Sequence, residues 1–142
     1  FGVVLFYRGS WSDVCVAQLD EFSRAADKLG SEGIKVVSVS VDDRETSEAL
    51  VENHKLTIPV AYCTAARAVS AVTGVPINED SAYFEATGFV LNPEGRIMFA
   101  AYSTYDGADD RIVTAISSSG PITRLSPDDV LQLVRYVRSS KS

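Results

Sequence analysis

The chain has 142 residues, 46% hydrophobic and 23% charged, the balance of a soluble globular protein long enough for one cored domain. A net charge of −6 argues against a nucleic-acid or anionic-membrane surface, and no apolar run approaches the roughly 20 residues of a membrane span. Two cysteines are too few for a disulfide scaffold and one histidine too few for a histidine-based metal site, so a cytoplasmic protein with no metal and no cofactor is expected.

Phe1 leads at once into a core strand, so residues 1–142 read as one domain that has lost an N-terminal segment. Gly2 to Tyr7 is that strand. Ser12 or Asp13 caps the helix that follows, where Leu19, Phe22, Ala26 and Leu29 recur at helical spacing until Gly30 and Gly33 end it. Lys35 to Val41 alternates and is β-branched, a second strand, and the helical crossover makes it parallel to the first. Glu45 to His54 predicts a polar helix with Leu50 and Val51 inward. Ile58 to Tyr62 predicts a third strand, which Pro59 assigns to a sheet edge. Ala65 to Val72 predicts a short helix closed by Gly74.

Phe89-Val90-Leu91, the turn Asn92-Pro93-Glu94-Gly95 and Ile97 to Tyr102 predict a hairpin. Arg96-Ile97 and Ala101-Tyr102-Ser103 are echoed by Arg111-Ile112 and Ala115-Ile116-Ser117 about Asp106-Gly107, which predicts an extra edge hairpin near residues 96–117. Ser119-Gly120-Pro121 is a loop. Ser126-Pro127-Asp128-Asp129 opens a last helix with Val130, Leu133, Val134 and Val137 as its buried stripe, and Arg135, Arg138 and Lys141 as a solvated face that complements the helix dipole. This order implies an α/β fold, a mixed sheet flanked by helices on both faces. Val3, Leu5, Phe22, Val37, Val39, Val90, Ile97 and Leu133 are expected to share one core.

Cys15 falls in the first turn of the helix that follows the first strand. Unpaired N–H groups and a partial positive charge at a helix start favour the thiolate, the nucleophilic form of cysteine. Arg8 precedes the helix by a few residues and adds a cation that can reach the sulfur, whereas Asp13, two residues from Cys15, does not face it. Ser12 reads as the helix cap, alone or with a second hydrogen bond to a substrate. Tyr7 and Trp11 read as packing residues or as walls of a small pocket. Cys63 reads as a small buried hydrophobe and His54 as a surface residue.

Three stretches carry a resemblance: Val3 through Tyr7-Arg8-Gly9-Ser10-Trp11-Ser12 to Cys15, His54 to Ala61 around Ile58-Pro59-Val60, and Phe89 to Ile97. They resemble the thioredoxin fold and, within it, the peroxiredoxin-like alkyl hydroperoxide reductase/thiol-specific antioxidant superfamily. The resemblance implies a thiol-dependent redox protein that reduces a peroxide through a single peroxidatic cysteine. Cys15 stands at that cysteine and Ser12 at the Thr/Ser that helps hold the peroxide. Arg8 stands where the family has a proline, and Ala86 where it has a distant arginine, so Arg8 is expected to supply the missing charge. Tyr7 and Trp11 would wall the substrate pocket. Cys63 or an external thiol would resolve the oxidised Cys15. The partners implied are a small peroxide and an external thiol or disulfide reductant, with a homodimer allowed.

A related branch carries Tyr-Arg-Gly-x-Trp-Cys-Pro-x-Cys, matched here at Tyr7, Arg8, Gly9, Trp11 and Cys15, with Ser12 at its first cysteine and Asp13 at its proline. Two other readings stay open. One is a thioredoxin-fold binding or regulatory module with a degenerate redox site. The other is a thiol-disulfide oxidoreductase, which Ser12 disfavours because it cannot form a bond within the motif.

Overall fold

The apolar run after Phe1 forms β1 (Gly2–Phe6), the strand on which the rest of the molecule is hung. In chain order there follow α1 (Asp13–Arg24), α2 (Ala26–Ser31), β2 (Lys35–Ser40), α3 (Arg44–His54), β3 (Val60–Tyr62), α4 (Ala66–Thr73), β4 (Thr87–Leu91), β5 (Ile97–Asp106), β6 (Arg111–Thr114) and α5 (Pro127–Ser140). This computed structural model describes residues 1–63, 65–77, 83–106, 111–114 and 125–140, and among the last strands the side chains only as far as Ala101. The strands form one mixed sheet in the order β3-β2-β1-β4-β5-β6. β1, β2 and β3 run parallel, as helical crossovers require. β4, β5 and β6 are antiparallel additions. β3 is an edge strand, as the sequence predicts, but Pro59 lies before it and not within it: its missing N–H leaves the paired segment to begin only at Val60.

β1 divides the core in two, because successive strand side chains point to opposite faces. Val3, Leu5 and Tyr7 pack with Cys15, Leu19, Phe22, Leu29, Val90, Val130 and Val134. Phe6, with Val4 beside it, packs on the other face with Val75, Phe84 and Phe89. The expectation of a single core is therefore corrected. Val39 packs on the second face, Val37 is half-buried, and Ile97, at the start of β5, is 51% exposed. On β2 the fully buried alternation is instead Val36, Ser38 and Ser40.

The long first helix is two helices. Ala25 leaves helical geometry at φ −93° and ψ 2°. The Ser23 carbonyl accepts from the Thr57 hydroxyl at 3.0 Å, and the Ser23 hydroxyl accepts from the Thr57 N–H at 3.1 Å. These bonds draw Ser23 toward the loop before β3 and interrupt the helical ladder. Gly74 closes α4 at φ 77°, a conformation that favours glycine. The final hairpin is present, but its turn at Gly107 and the residues Ala115 to Ser117 of the echoed segment lie outside the described residues, as does the Ser119-Gly120-Pro121 loop.

α5 opens with a reciprocal cap. Ser126 Oγ accepts from the Asp129 N–H at 3.2 Å, and Asp129 Oδ2 accepts from the Ser126 N–H at 3.1 Å. Its buried stripe is broader than predicted and includes Leu131. The basic face is not merely solvated: Arg135 and Arg138 grip the Glu32 carboxylate at 3.0 and 2.9 Å and dock α5 against the end of α2. Lys141 lies outside the described residues. His54 remains at the surface, 3.4 Å from Asp20 of α1. No helix among the described residues is long and apolar enough to cross a membrane.

Candidate functional site around Cys15

Strand register brings the site together. β1 and β4 pair antiparallel with Leu5 opposite Gly88 and Phe6 opposite Thr87. Continuing that register beyond the paired residues sets Tyr7 across from Ala86 and Arg8 across from Glu85. On the other side Phe6 lies beside Val39 of β2, and the Tyr7 N–H donates to the Val39 carbonyl at 3.0 Å. The ends of β1 and β2 and the entry to β4 thus converge where α1 begins, the edge of a parallel sheet at which α/β proteins gather their chemistry.

Ser12 is the N-cap of α1, and its side chain accepts from the Cys15 N–H at 3.4 Å. Cys15 is therefore in the first turn, where free amide groups and the helix dipole favour negative charge. Its side chain is fully buried and packs with Tyr7 and Ala86. The loop from Arg8 to Trp11, just before α1, is pinned by Asp42, whose Oδ2 accepts from the Ser10 N–H at 2.8 Å. Gly9 permits the close approach: a Cβ there would collide with the Trp11 indole and come within 3.1 Å of Asp42 Oδ1.

Arg8 is 3% exposed, and its Nη2 lies 2.5 Å from Oε2 of Glu85, itself 18% exposed. The guanidinium also sits over the Tyr83 ring, 5.6 Å from its centroid. Tyr83 in turn makes an edge contact with Trp11 at 5.1 Å. Trp11 is 59% exposed and forms the outer rim of the site, not a closed wall. Tyr7 is fully buried, with the Ser40 and Ser47 hydroxyls beside its own. Burial pushes the Tyr7 phenol above its ordinary pKa. The neighbouring Ser40 and Ser47 hydroxyls oppose the rise, and the charges of Asp42 and Cys15 add to it.

The structure does not bring Cys63 to Cys15. Cys63 packs against the face of Phe6, Val75 and Phe84, whereas Cys15 belongs to the face of Leu5 and Tyr7, so the sheet lies between their packing environments. Both cysteines are free thiols. A groove of about 430 Å³ lined by Phe99, Leu125, Asp129, Gln132, Leu133 and Tyr136 lies between β5 and α5 and shares no residue with the thiol site. Among the described residues no cluster of three His, Cys, Asp or Glu side chains is placed to hold a metal.

Glu85, Tyr83, Asp42 and the Ser40/Ser47 pair are missed by the sequence reading. Glu85 lies 77 residues from Arg8, and only the pairing of β1 with β4 makes them neighbours. Asp42 had a weak signal, an acid just past the end of a parallel strand.

Comparison with known proteins gives the following. A model of the AhpC/TSA family matches residues 1–100. No curated protein matches the chain. Among solved structures, AhpC from Enterococcus faecalis superposes with a TM-score of 0.71 at 21% identity, covering 99% of this chain and 74% of its own. The peroxidoxin BcpB from Mycobacterium tuberculosis gives 0.71 at 18% identity, covering 96% and 79%. PrxQ from Xylella fastidiosa, in a mutant form, gives 0.67 at 14% identity, covering 99% and 77%.

Proposed function

The chain belongs to the AhpC/TSA family of thiol-dependent peroxidases, with its thioredoxin-like fold, and from that premise we propose that it reduces a small peroxide through Cys15 alone, with Arg8 as the cation of the site. The observation that carries this reading is the buried thiol in the first turn of α1, capped by Ser12. In the reaction the Cys15 sulfur attacks one peroxide oxygen. The O–O bond breaks, the sulfur becomes a sulfenic acid, and the departing oxygen leaves as water or an alcohol after taking up a proton. Ser12, next to the sulfur in the chain fold, is the hydroxyl that holds the incoming peroxide. Tyr7 backs the sulfur and Trp11 rims the entrance. An external thiol condenses with the sulfenic acid to a mixed disulfide, releasing water, and a second one frees the Cys15 thiol and leaves as the disulfide; Cys63 packs on the opposite face. The reductant and a homodimeric partner are parts of the same proposal.

Arg8 supports the assignment by its position. The residue across the register from Tyr7 is Ala86, small and buried in the Cys15 cluster. One step further along, the guanidinium comes from the β1 side and the carboxylate of Glu85 from the β4 side. The cation that the family carries on the later strand is thus supplied from the first.

A second reading, a binding or regulatory module with a degenerate redox site, is favoured by one observation: the charge of Arg8 is countered by Glu85 at 2.5 Å. Steady-state peroxide reduction with an external thiol separates the two. The wild-type protein is expected to turn over, Cys15→Ser to be inactive, and Arg8→Gln to be slowed by roughly tenfold or more, because an amide donates fewer hydrogen bonds and no charge. Loss of Cys15 without consequence would leave the binding-module reading, and an unimpaired Arg8→Gln would remove Arg8 from the site.

A further inference from the structure

We propose that Glu85 masks the charge of Arg8 and thereby turns the Cys15 site toward uncharged peroxides and away from anionic ones. The inference rests on the reading of Arg8 as the cation of the site and adds a specificity-determining residue to it.

Glu85 is held by its own backbone. Its N–H donates to the Pro76 carbonyl at 2.8 Å, and its carbonyl accepts from the Thr87 hydroxyl at 3.1 Å. The next residue, Ala86, packs in the Cys15 cluster. The carboxylate is therefore fixed at the β4 entry, and the guanidinium lies against it at 2.5 Å with the Tyr83 ring also beside it. Both members of the pair are largely buried, so solvent screens them little. To a group outside the pair, a contact ion pair acts as a dipole whose field falls off faster than that of a single charge. An anionic reactant arriving at Cys15 then gains little from Arg8, while the exposed Trp11 rim offers an apolar surface to a neutral one.

Glu85→Gln removes the negative charge and keeps an oxygen for the guanidinium. The readout is the ratio of Cys15 alkylation rates by iodoacetate and iodoacetamide, measured with Cys63 changed to serine. The two reagents are nearly the same size and differ in charge, so access to the buried sulfur and overall stability cancel in the ratio. Glu85→Gln is expected to raise the iodoacetate/iodoacetamide ratio about three- to tenfold, the effect of one unmasked charge acting over several ångströms in a partly wet site. In the Arg8→Gln background the same change is expected to leave the ratio within about twofold. An unchanged ratio in Glu85→Gln overturns the proposal. A rise that persists without Arg8 also overturns it, because Glu85 would then act on the sulfur directly. Removing the partner of a buried arginine lowers stability. If Glu85→Gln does not fold, Glu85→Asp, which withdraws the charge by one methylene, is expected to give a smaller rise of the same sign, and no rise there overturns the proposal. Failure of the Arg8 reading itself appears separately, as an Arg8→Gln protein with wild-type peroxide turnover.

Discussion

At Tyr7 a phenol is fully buried beside the sulfur, with the Ser40 and Ser47 hydroxyls next to its own. Its pKa is raised from the ordinary 10.0, chiefly by burial. The unfolded chain therefore ionises Tyr7 first as the pH rises. The stability associated with the neutral phenol is fully present below about pH 10 and is lost as the pH climbs from there toward the folded-state value. Tyr7→Phe removes the group that titrates and keeps the ring. Denaturant unfolding at pH 9 and pH 11 is expected to show a smaller alkaline loss in Tyr7→Phe than in the wild type. Equal losses would mean that the phenol is not held neutral by the fold.

The same scale shows what a sequence reveals of a site. Cys15 and Ser12 were legible because a cap and a first turn are set within four residues. Arg8 stood out as a cation in the Cys15 motif, but its carboxylate partner did not. Nothing local in Tyr83-Phe84-Glu85-Ala86 announces a carboxylate for an arginine 77 residues earlier; the strand register alone makes the pair. The buried setting of the Tyr7 hydroxyl was equally hidden, since a tyrosine at a strand end reads as packing until its surroundings are known.

Among the elements, α5 is the clearest case of a helix whose place depends on a contact that the periodicity does not encode. Glu32, at the end of α2, accepts from Arg135 and Arg138. The Arg135 hydrogen bond, with the charges of both arginines, holds the Glu32 carboxyl below its usual 4.5. A lowered carboxyl pKa gives stability that is present above the unfolded value and is lost as the pH falls through the folded one. Glu32→Gln is thus expected to melt at a lower temperature than wild type at pH 7, with the difference shrinking as the pH is taken down through the acid range below 4.5 and the wild-type carboxyl protonates. A difference that does not shrink as the pH falls would show that the pair does not dock the helix through charge.

The strands and helices themselves were mostly readable, because β-branched alternation and capped apolar periodicity are local. The departures have physical causes. α1 breaks from α2 where Thr57 engages Ser23. β3 starts one residue after Pro59. On β2 it is Ser38 and Ser40 that are fully buried, where alternation of valines pointed to Val37 and Val39. The serines are tolerated because Ser38 Oγ donates to the Pro59 carbonyl at 3.2 Å and Ser40 Oγ accepts from the Asp42 N–H at 3.1 Å.

On the scale of the whole molecule, the sheet sorts the chemistry. Cys15, Tyr7 and Ala86 lie on one face and Cys63 on the other, and the peroxide reduction we propose rests on the Cys15 thiol, at the end of the sheet where β1, β2 and β4 meet α1. Mass spectrometry of the reduced protein after one equivalent of hydroperoxide, with a sulfenic-acid trap present, tests that role most directly. Trapped sulfenic acid is expected on the peptide that carries Cys15, or, without the trap, a gain of about 16 Da for one oxygen there, with Cys63 unmodified. An unmodified Cys15 under conditions that oxidise free cysteine, or oxidation confined to Cys63, would contradict a peroxidase working through Cys15.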